Sequence, residues 1–399
     1  MADRMQILVR ENGESIETAA LINDRLSEFD RREKQLGSLV GCIMLGKVER
    51  VLPDIKAAFV DIGRGLNGFL PIRESDSFHA VHGKAPLITG NDVIVQVKKD
   101  EKGGKGAFLT RDVSLAGQYL LLLPNSRFIG VSKRITDHQE NQNARLLGKS
   151  IAGDRFGVIV RHAALYARRE DVMNEAEELY QRWLKATEHA SCQKPPVCLL
   201  RDVPAHEALM RDYSARYQVN MLLEETIAKA SPPSEPAQAI SSIEMDALWK
   251  GKGIERCLKQ ALARKVVLPR GGSLIIDERE ALHTIDVNSG RNVNASEEAQ
   301  LPLEQNLAAV PEIAHQIRLR NLSGIILIDF IDMNTCQEQE QVIGALSEAL
   351  SHDRIKSVIH GFTTLGLLEL TRRRSGAMLK EMITVPCHTC SETGRIYQP

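Results

Sequence analysis

The chain has 399 residues, 43% hydrophobic, 26% charged and 4% aromatic, with a formal net charge of -1. That length allows two or three domains with full cores. The low aromatic content argues against a lectin or sugar hydrolase, and the balanced charge excludes a globally basic protein, so a polyanion must be met by local basic patches. No run approaches the ~20 apolar residues of a membrane span, the first residues carry no secretory signal, and the seven cysteines are irregularly spaced. A cytoplasmic protein with reduced thiols is the expectation.

In chain order, residues 5–36 read as strand, turn, strand: Gln6–Arg10, a turn at Glu11-Asn-Gly13, and Glu17–Ile22. The piece is too short to bury a core and should be completed by later residues. Residues 38–112 read as five short strands, at 39–51, 57–62, 68–71, 92–98 and 107–110, separated by Gly-rich turns. This suggests a small Greek-key barrel of the OB type. Phe59 and Phe69 lie in its second and third strands, and Lys98, Lys99, Lys102 and Lys105 cluster near its end. Aromatic faces stack on bases while lysines neutralise phosphates, as barrels that hold single strands do. Taken alone, Phe59 reads as barrel core. The pattern Gly46-Lys-Val, Ala58-Phe-Val-Asp-Ile-Gly63 and Gly68-Phe-Leu-Pro71 resembles the S1-type RNA-binding fold.

Strands are expected at 119–124 and 156–161, with a polar helical segment at 137–149 between them and an amphipathic helix at 170–188 after them. Arg161 ends a strand, where an arginine grips phosphate or pairs on the surface. Residues 206–269 read as helical, broken by the loop Ser231-Pro-Pro-Ser-Glu-Pro. From Lys265 strands and helices alternate, an α/β layered pattern. A helix is drawn over 297–320, with Pro311 predicting a kink or break. Another is drawn over 341–351.

Two carboxylates dominate this last part. Asp286 ends a β-branched run in Ile285-Asp-Val-Asn288-Ser-Gly, and Asp329 ends another in Ile326-Leu-Ile-Asp329-Phe-Ile-Asp332. Such runs read as buried strands. An ionised carboxylate there is costly unless paired or metal-bound. If the strands are neighbours, Asp286, Asn288 and Asp329 converge, a set that suits Mg²⁺. Capping of a following turn is the alternative. Near the end, Cys387-His-Thr-Cys390 supplies half of a tetrahedral zinc site, or is a redox pair, or is inert.

Leu268-Pro-Arg-Gly-Gly-Ser, Ile285-Asp-Val-Asn-Ser-Gly, Ile317-Arg-Leu-Arg-Asn-Leu-Ser-Gly, Ile328-Asp-Phe-Ile-Asp-Met, Leu365-Gly-Leu-Leu-Glu-Leu-Thr-Arg and Cys387-x-x-Cys390 occur in order. Together they resemble the catalytic half of the bacterial ribonuclease E/G family. The resemblance implies an α+β multidomain chain: a ribonuclease H-like subdomain split between 1–37 and 206–270, an S1-type barrel at 38–112, a 5′-sensor at 113–205, a deoxyribonuclease I-like subdomain at 271–384, and a zinc link at 385–399. It implies a Mg²⁺-dependent endoribonuclease cutting single-stranded RNA to 3′-hydroxyl and 5′-phosphate ends, in ribosomal RNA processing and messenger RNA decay. Asp286 and Asp329 would bind Mg²⁺ with Asn288 in support. Phe59, Phe69 and Lys105 would hold RNA. Gly117, Arg161, His162 and Lys356 would form the 5′-phosphate sensor. Cys387 and Cys390 would share Zn²⁺ with a second protomer in a homodimer.

Three departures from the family stand out. His162 replaces a Thr in the sensor; a histidine donates more strongly once protonated, so sensing is expected to strengthen in mild acid. Lys356 replaces an Arg and loses the bidentate fork. The sequence ends nine residues after Cys390, so neither a C-terminal small domain nor a degradosome scaffold tail is expected, and the zinc-linked dimer is the expected limit of assembly. Two other readings stay open. One is a catalytically weak RNA-binding protein of the same fold acting in ribosomal RNA maturation or ribosome assembly. The other is a Mg²⁺ phosphodiesterase on DNA or small nucleotides.

Overall fold

The computed structural model describes residues 3–33, 39–75, 86–101, 104–135, 137–214, 216–230, 237–269, 271–279, 281–289, 302–385 and 387. Lys102, the loop from Ser231, the first residues of the helix drawn from 297, and Cys390 lie outside them. The chain forms two compact units, Met1–Gln35 with Arg216–Pro399, and Leu36–Ala215.

The first unit begins with three antiparallel strands, β1 (Arg4–Asn12), β2 (Ser15–Ile22) and β3 (Arg25–Glu33). The sequence reading had only one hairpin here. Asn23 and Asp24 make the second turn with positive φ of 48° and 63°, a conformation that Asn and Asp tolerate. β3 is mostly charged, but Leu26 and Phe29 enter the core.

The second unit holds β4 (Ile43–Leu52), β5 (Ala57–Asp61), β6 (Gly68–Pro71), β7 (Asp92–Lys99) and β8 (Phe108–Thr110). They pair in the order β4-β5-β6-β8-β7, and β7 returns to β4, which closes a barrel. Val48, Val60, Leu70, Val95 and Leu109 fill it. A Cβ at Gly68 would lie 2.5 Å from the Leu109 side chain, so only glycine fits where β6 meets β8. A second sheet follows, built from β9 (Leu115–Ala116), β10 (Leu120–Leu123), β11 (Ile129–Val131) and β12 (Gly157–Val160). α1 (His138–Ala152) starts from Asp137, whose carboxylate accepts the Glu140 amide at 2.8 Å. α2 (Arg169–Ser191) packs Val172, Ala176, Leu179 and Trp183 on Leu120 and Leu122. β13 (Val197–Leu200) adds to β4. α3 (Ala205–Tyr213) also belongs to this unit, which runs on to residue 215 rather than ending at the expected 205. Its Arg211 donates to Ala116 O at 3.1 Å.

The chain then returns to the first unit. β14 (Gln218–Glu224) lies parallel to β1, followed by α4 (Glu225–Ala230), β15 (Gln238–Ile240), α5 (Ser242–Gly251) and α6 (Ile254–Ala261). The purely helical reading of 206–269 is therefore corrected. Gln-Val-Asn-Met-Leu-Leu-Glu contains good helix formers, and its strand state comes from pairing with β1, a tertiary effect. The sheet order is β15-β14-β1-β2-β3. Trp249 of α5 sits in its core, with the Arg10 guanidinium 4.0 Å from the ring centroid.

The last sheet comprises β16 (Lys265–Val267), β17 (Ser273–Glu278), β18 (Leu282–Asn288), β19 (Gly324–Asp329), β20 (Ser357–Phe362) and β21 (Leu367–Arg372), in the order β16-β17-β18-β19-β21-β20. α7 (Pro302–Leu319) is the crossover that lets β18 and β19 run parallel. It continues through Pro311 without the expected break. Pro311 gives no N–H to the Leu307 carbonyl, but Val310, Ile313 and Ile317 are held by the core, which outweighs the lost bond. α8 (Cys336–Ser351) is capped by Thr335 and Glu338 in a capping box. Both helices pack on one face, over Ile285, Ile326, Ile328, Leu368 and Leu370. The alternate residues, including Thr284, Asp286, Leu327 and Asp329, lie on the other face, partly open to solvent. α9 (Leu379–Ile383) packs Leu379 into the core of the first sheet. Among the described residues, no helix is long and apolar enough to cross a membrane.

Candidate active site

Asp286 and Asp329 sit directly opposite one another on parallel neighbours β18 and β19. Directly paired residues point to the same side of a sheet, so both carboxylates stand on the open face. Asn288 projects from the same side two residues on, and its Nδ2 donates to Asp286 Oδ2 at 2.7 Å. The structure thus brings the three residues together. Neither Asp has an ion-pair partner among the described residues. Partial burial pushes the Asp329 carboxyl above its usual range, and the charges of Asp286 and Asp332 push it further. A carboxylate whose proton affinity is raised by neighbouring negative charge invites a cation.

The strand exit after Asp329 is fixed from below by a residue the sequence reading passed over. Asn306 of α7 is fully buried. Its Nδ2 donates to Ile331 O at 2.8 Å, and Ile331 N donates to its Oδ1 at 3.0 Å. Ile331 lies between Asp329 and Asp332, so this bracket sets where both carboxylates leave the sheet. The signal available was an Asn on the apolar stripe of a helix.

A groove of about 600 Å³ opens beside Asp286 and Asn288, lined also by Ser273, Arg264 and Lys265. Arg264 is held by Asp277 through two bonds of 2.8 Å, which keep its guanidinium charged and the Asp277 carboxyl below the usual range.

On the barrel, Phe59, Phe69 and Phe108 pair across β5, β6 and β8. Ring centroids are 5.9 Å apart for the first two, edge to face, and 6.1 Å for the second pair. All three are half-exposed, so the reading of Phe59 as barrel core is corrected: its neighbours Ala58 and Val60 take the inward positions. Lys99 Nζ stands 5.7 Å from the Phe108 centroid, and Lys105 is exposed in the loop before β8. Phe108 was not anticipated. Its position between buried Ala107 and Leu109 gave the alternation that places it outside.

Gly117 and Arg161 meet. Arg161 Nη1 donates to Gly117 O at 2.5 Å, and Nη2 pairs with Asp212 at 2.6 Å. The amides of Gln118, Tyr119 and Leu120 all point at one carboxylate, that of Glu175 on α2; the last two bonds are 2.9 and 3.0 Å. Burial pushes the Glu175 carboxyl up while these amides and Arg161 pull it down. A Cβ at Gly117 would run into that carboxylate. Glu175 was not anticipated, because at its position it reads as a solvated helix residue. His162 follows Arg161, half-exposed, its ring 5.4 Å from that of Tyr166. Lys356 lies just before β20 in the other unit, exposed, and its carbonyl accepts Arg373 N at 3.0 Å.

Cys387 is exposed, and Cys390 is outside the described residues. No cluster of three or more His, Cys, Asp or Glu side chains placed to hold a metal occurs among the described residues. Asp286 and Asp329 offer two carboxylates side by side, the donor chemistry of a cation that fills its other positions with water or phosphate, as Mg²⁺ does.

A model of the ribonuclease E/G family matches residues 114–375. Ribonuclease G of Haemophilus influenzae is 30% identical over 414 aligned positions, which cover 99% of this chain and 84% of the relative. Ribonuclease G of Escherichia coli K12 is 32% identical, covering 98% of this chain and 84% of the relative. Ribonuclease E of Haemophilus influenzae is 34% identical over 96% of this chain and 43% of its own length, so the chain spans less than half of that protein.

Proposed function

Because the chain belongs to the ribonuclease E/G family and is an endoribonuclease, we propose that it cuts single-stranded RNA at Asp286 and Asp329 with Mg²⁺, leaving 3′-hydroxyl and 5′-phosphate ends. The observation that carries this reading is the in-register pair of carboxylates on an open sheet face, with Asn288 bonded to one of them. When bound, Mg²⁺ supplies Lewis acidity toward the phosphate oxygens and a more acidic water. The protein's own residues do the positioning. Asn288 holds the rotamer of Asp286. The Asn306 bracket on Ile331 holds Asp329 and Asp332.

In this reading the barrel is an S1-type module. Phe59, Phe69 and Phe108 offer ring faces to splayed bases, with Lys99 and Lys105 near the phosphates. A duplex keeps its bases stacked and cannot use them, hence the single-strand requirement. The residues at Gly117, Arg161 and His162 form the 5′-monophosphate sensor. The β14-β1-β2-β3 sheet is the ribonuclease H-like part, and the sheet carrying Asp286 the deoxyribonuclease I-like part. Cys387 and Cys390 share Zn²⁺ with a second protomer. The substrates are ribosomal RNA precursors and messenger RNA in the cytoplasm.

Comparing a single-stranded RNA with its DNA counterpart, and analysing product ends, tests the reading. RNA cut to 3′-hydroxyl and 5′-phosphate products, with DNA intact, is expected. Equal cutting of DNA, or 2′,3′-cyclic phosphate ends, contradicts it.

A further inference from the structure

We propose that Lys265 binds the RNA phosphate next to the scissile one and so sets the register of the strand at the cut. The inference rests on the assignment of cleavage to Asp286 and Asp329. Lys265, Ile275, Asp286 and Asp329 are successive direct partners across β16, β17, β18 and β19. Direct partners share a face, so the lysine stands in one row with the two carboxylates, on the open side of the sheet. Lys265 and Asp286 line the same groove. Two strand spacings separate their backbones by about 10 Å, a gap the long lysine stem spans in large part.

Charge argues in the same direction. The acidic cluster of Asp286, Asp329 and Asp332 is unfavourable to a polyanion unless cations flank it. The groove offers two described cations. Arg264 is already engaged by Asp277 in a bidentate pair. Lys265 is exposed and has no ion-pair partner among the described residues. An unpaired ammonium beside a carboxylate pair that is to receive a phosphodiester is placed to take a neighbouring phosphate as a point charge.

The test compares wild type, Lys265→Ala and Lys265→Arg on one single-stranded RNA. It then uses the same RNA with a single uncharged methylphosphonate placed in turn at each linkage around the cut. Lys265→Ala should raise KM about tenfold with kcat within about a factor of two, the loss of one charged hydrogen bond. The salt slope of log(kcat/KM) should fall by about 0.7, one phosphate contact of a single strand. Lys265→Arg should restore most of both. Neutralising the linkage beside the cut should cost wild type the same factor and cost Lys265→Ala nothing more. Unchanged KM and slope in Lys265→Ala overturn the proposal, and so do a kcat loss at constant KM or losses that add at every linkage. Absence of cutting by wild type overturns the cleavage assignment and this inference together, whereas cutting by wild type with an indifferent Lys265→Ala overturns this inference alone.

Discussion

Asn306 brackets Ile331: one side-chain amide, buried in the helix layer, gives a hydrogen bond to the carbonyl of Ile331 and takes one from its N–H, at 2.8 and 3.0 Å. The β19 strand has ended by Asp329, so these two bonds stand in for the ladder that no longer runs. Asn306→Ala leaves the partly buried N–H and carbonyl of Ile331 without these partners. The expected cost is about 2–4 kcal/mol of stability, read from urea midpoints. Because the bracket sits between Asp329 and Asp332, kcat should fall more than KM rises. A variant of wild-type stability and activity contradicts the positioning role.

His315 on the same helix is buried, and burial with the nearby Arg25 charge lowers it to about 3, while Glu312 opposes. Arg318 is the other charge acting on it. A histidine depressed in the folded state binds its proton more readily unfolded. Its contribution is therefore complete above the ordinary histidine value of about 6.5 and is lost as pH falls from there toward 3. Between pH 6.5 and 5 that amounts to about 2 kcal/mol. Burial lowers His283 in the same direction. Urea unfolding at the two pH values should show the loss, and His315→Gln should reduce it. An equal loss in the variant contradicts the assignment.

Phe108 extends the row begun by Phe59 and Phe69. Phe108→Ala should weaken binding of single-stranded RNA by about 1–3 kcal/mol, the range for one stacked base. Since the ring is half-exposed, thermal stability should change much less. Fluorescence anisotropy with a short labelled RNA checks this. Undiminished affinity would place the RNA path elsewhere on the barrel.

Glu175 gathers three consecutive amides, those of Gln118, Tyr119 and Leu120. Glu175→Ala strands them in a half-buried turn, with an expected cost of about 1–3 kcal/mol. The second unit carries this contact, so its unfolding transition should move and that of the first unit should not. A shift of both, or of neither, contradicts the account.

Much of the site was legible because strand chemistry is local. Ile285-Asp286 and Ile328-Asp329 end β-branched runs, and the Gly-rich turns of the barrel mark its strands one by one. What escaped depends on distant partners. β14 reads as helix until β1 is placed beside it. β3 is mostly charged and looks like a surface segment, with only Leu26 and Phe29 to betray its inner face. Asn306 and Glu175 sit on helices, where a polar residue is ordinarily solvated. Their roles exist only because the Ile331 main chain and the Gln118–Leu120 turn are packed against them. At Pro311 the break does not occur, since core packing holds α7 across a residue that would break an isolated helix.

In the proposed function Asp286 and Asp329 form one metal-dependent cleavage site. The most direct measurement is cleavage of a short 5′-monophosphorylated single-stranded RNA with Mg²⁺ by wild type, Asp286→Asn and Asp329→Asn, with RNA affinity measured in parallel. Cutting by wild type that stops on chelation, loss of at least about 10³-fold in each variant, and affinity within a few-fold of wild type are expected. Cutting by either variant at the wild-type rate, or tight binding without cuts by wild type, would contradict this assignment.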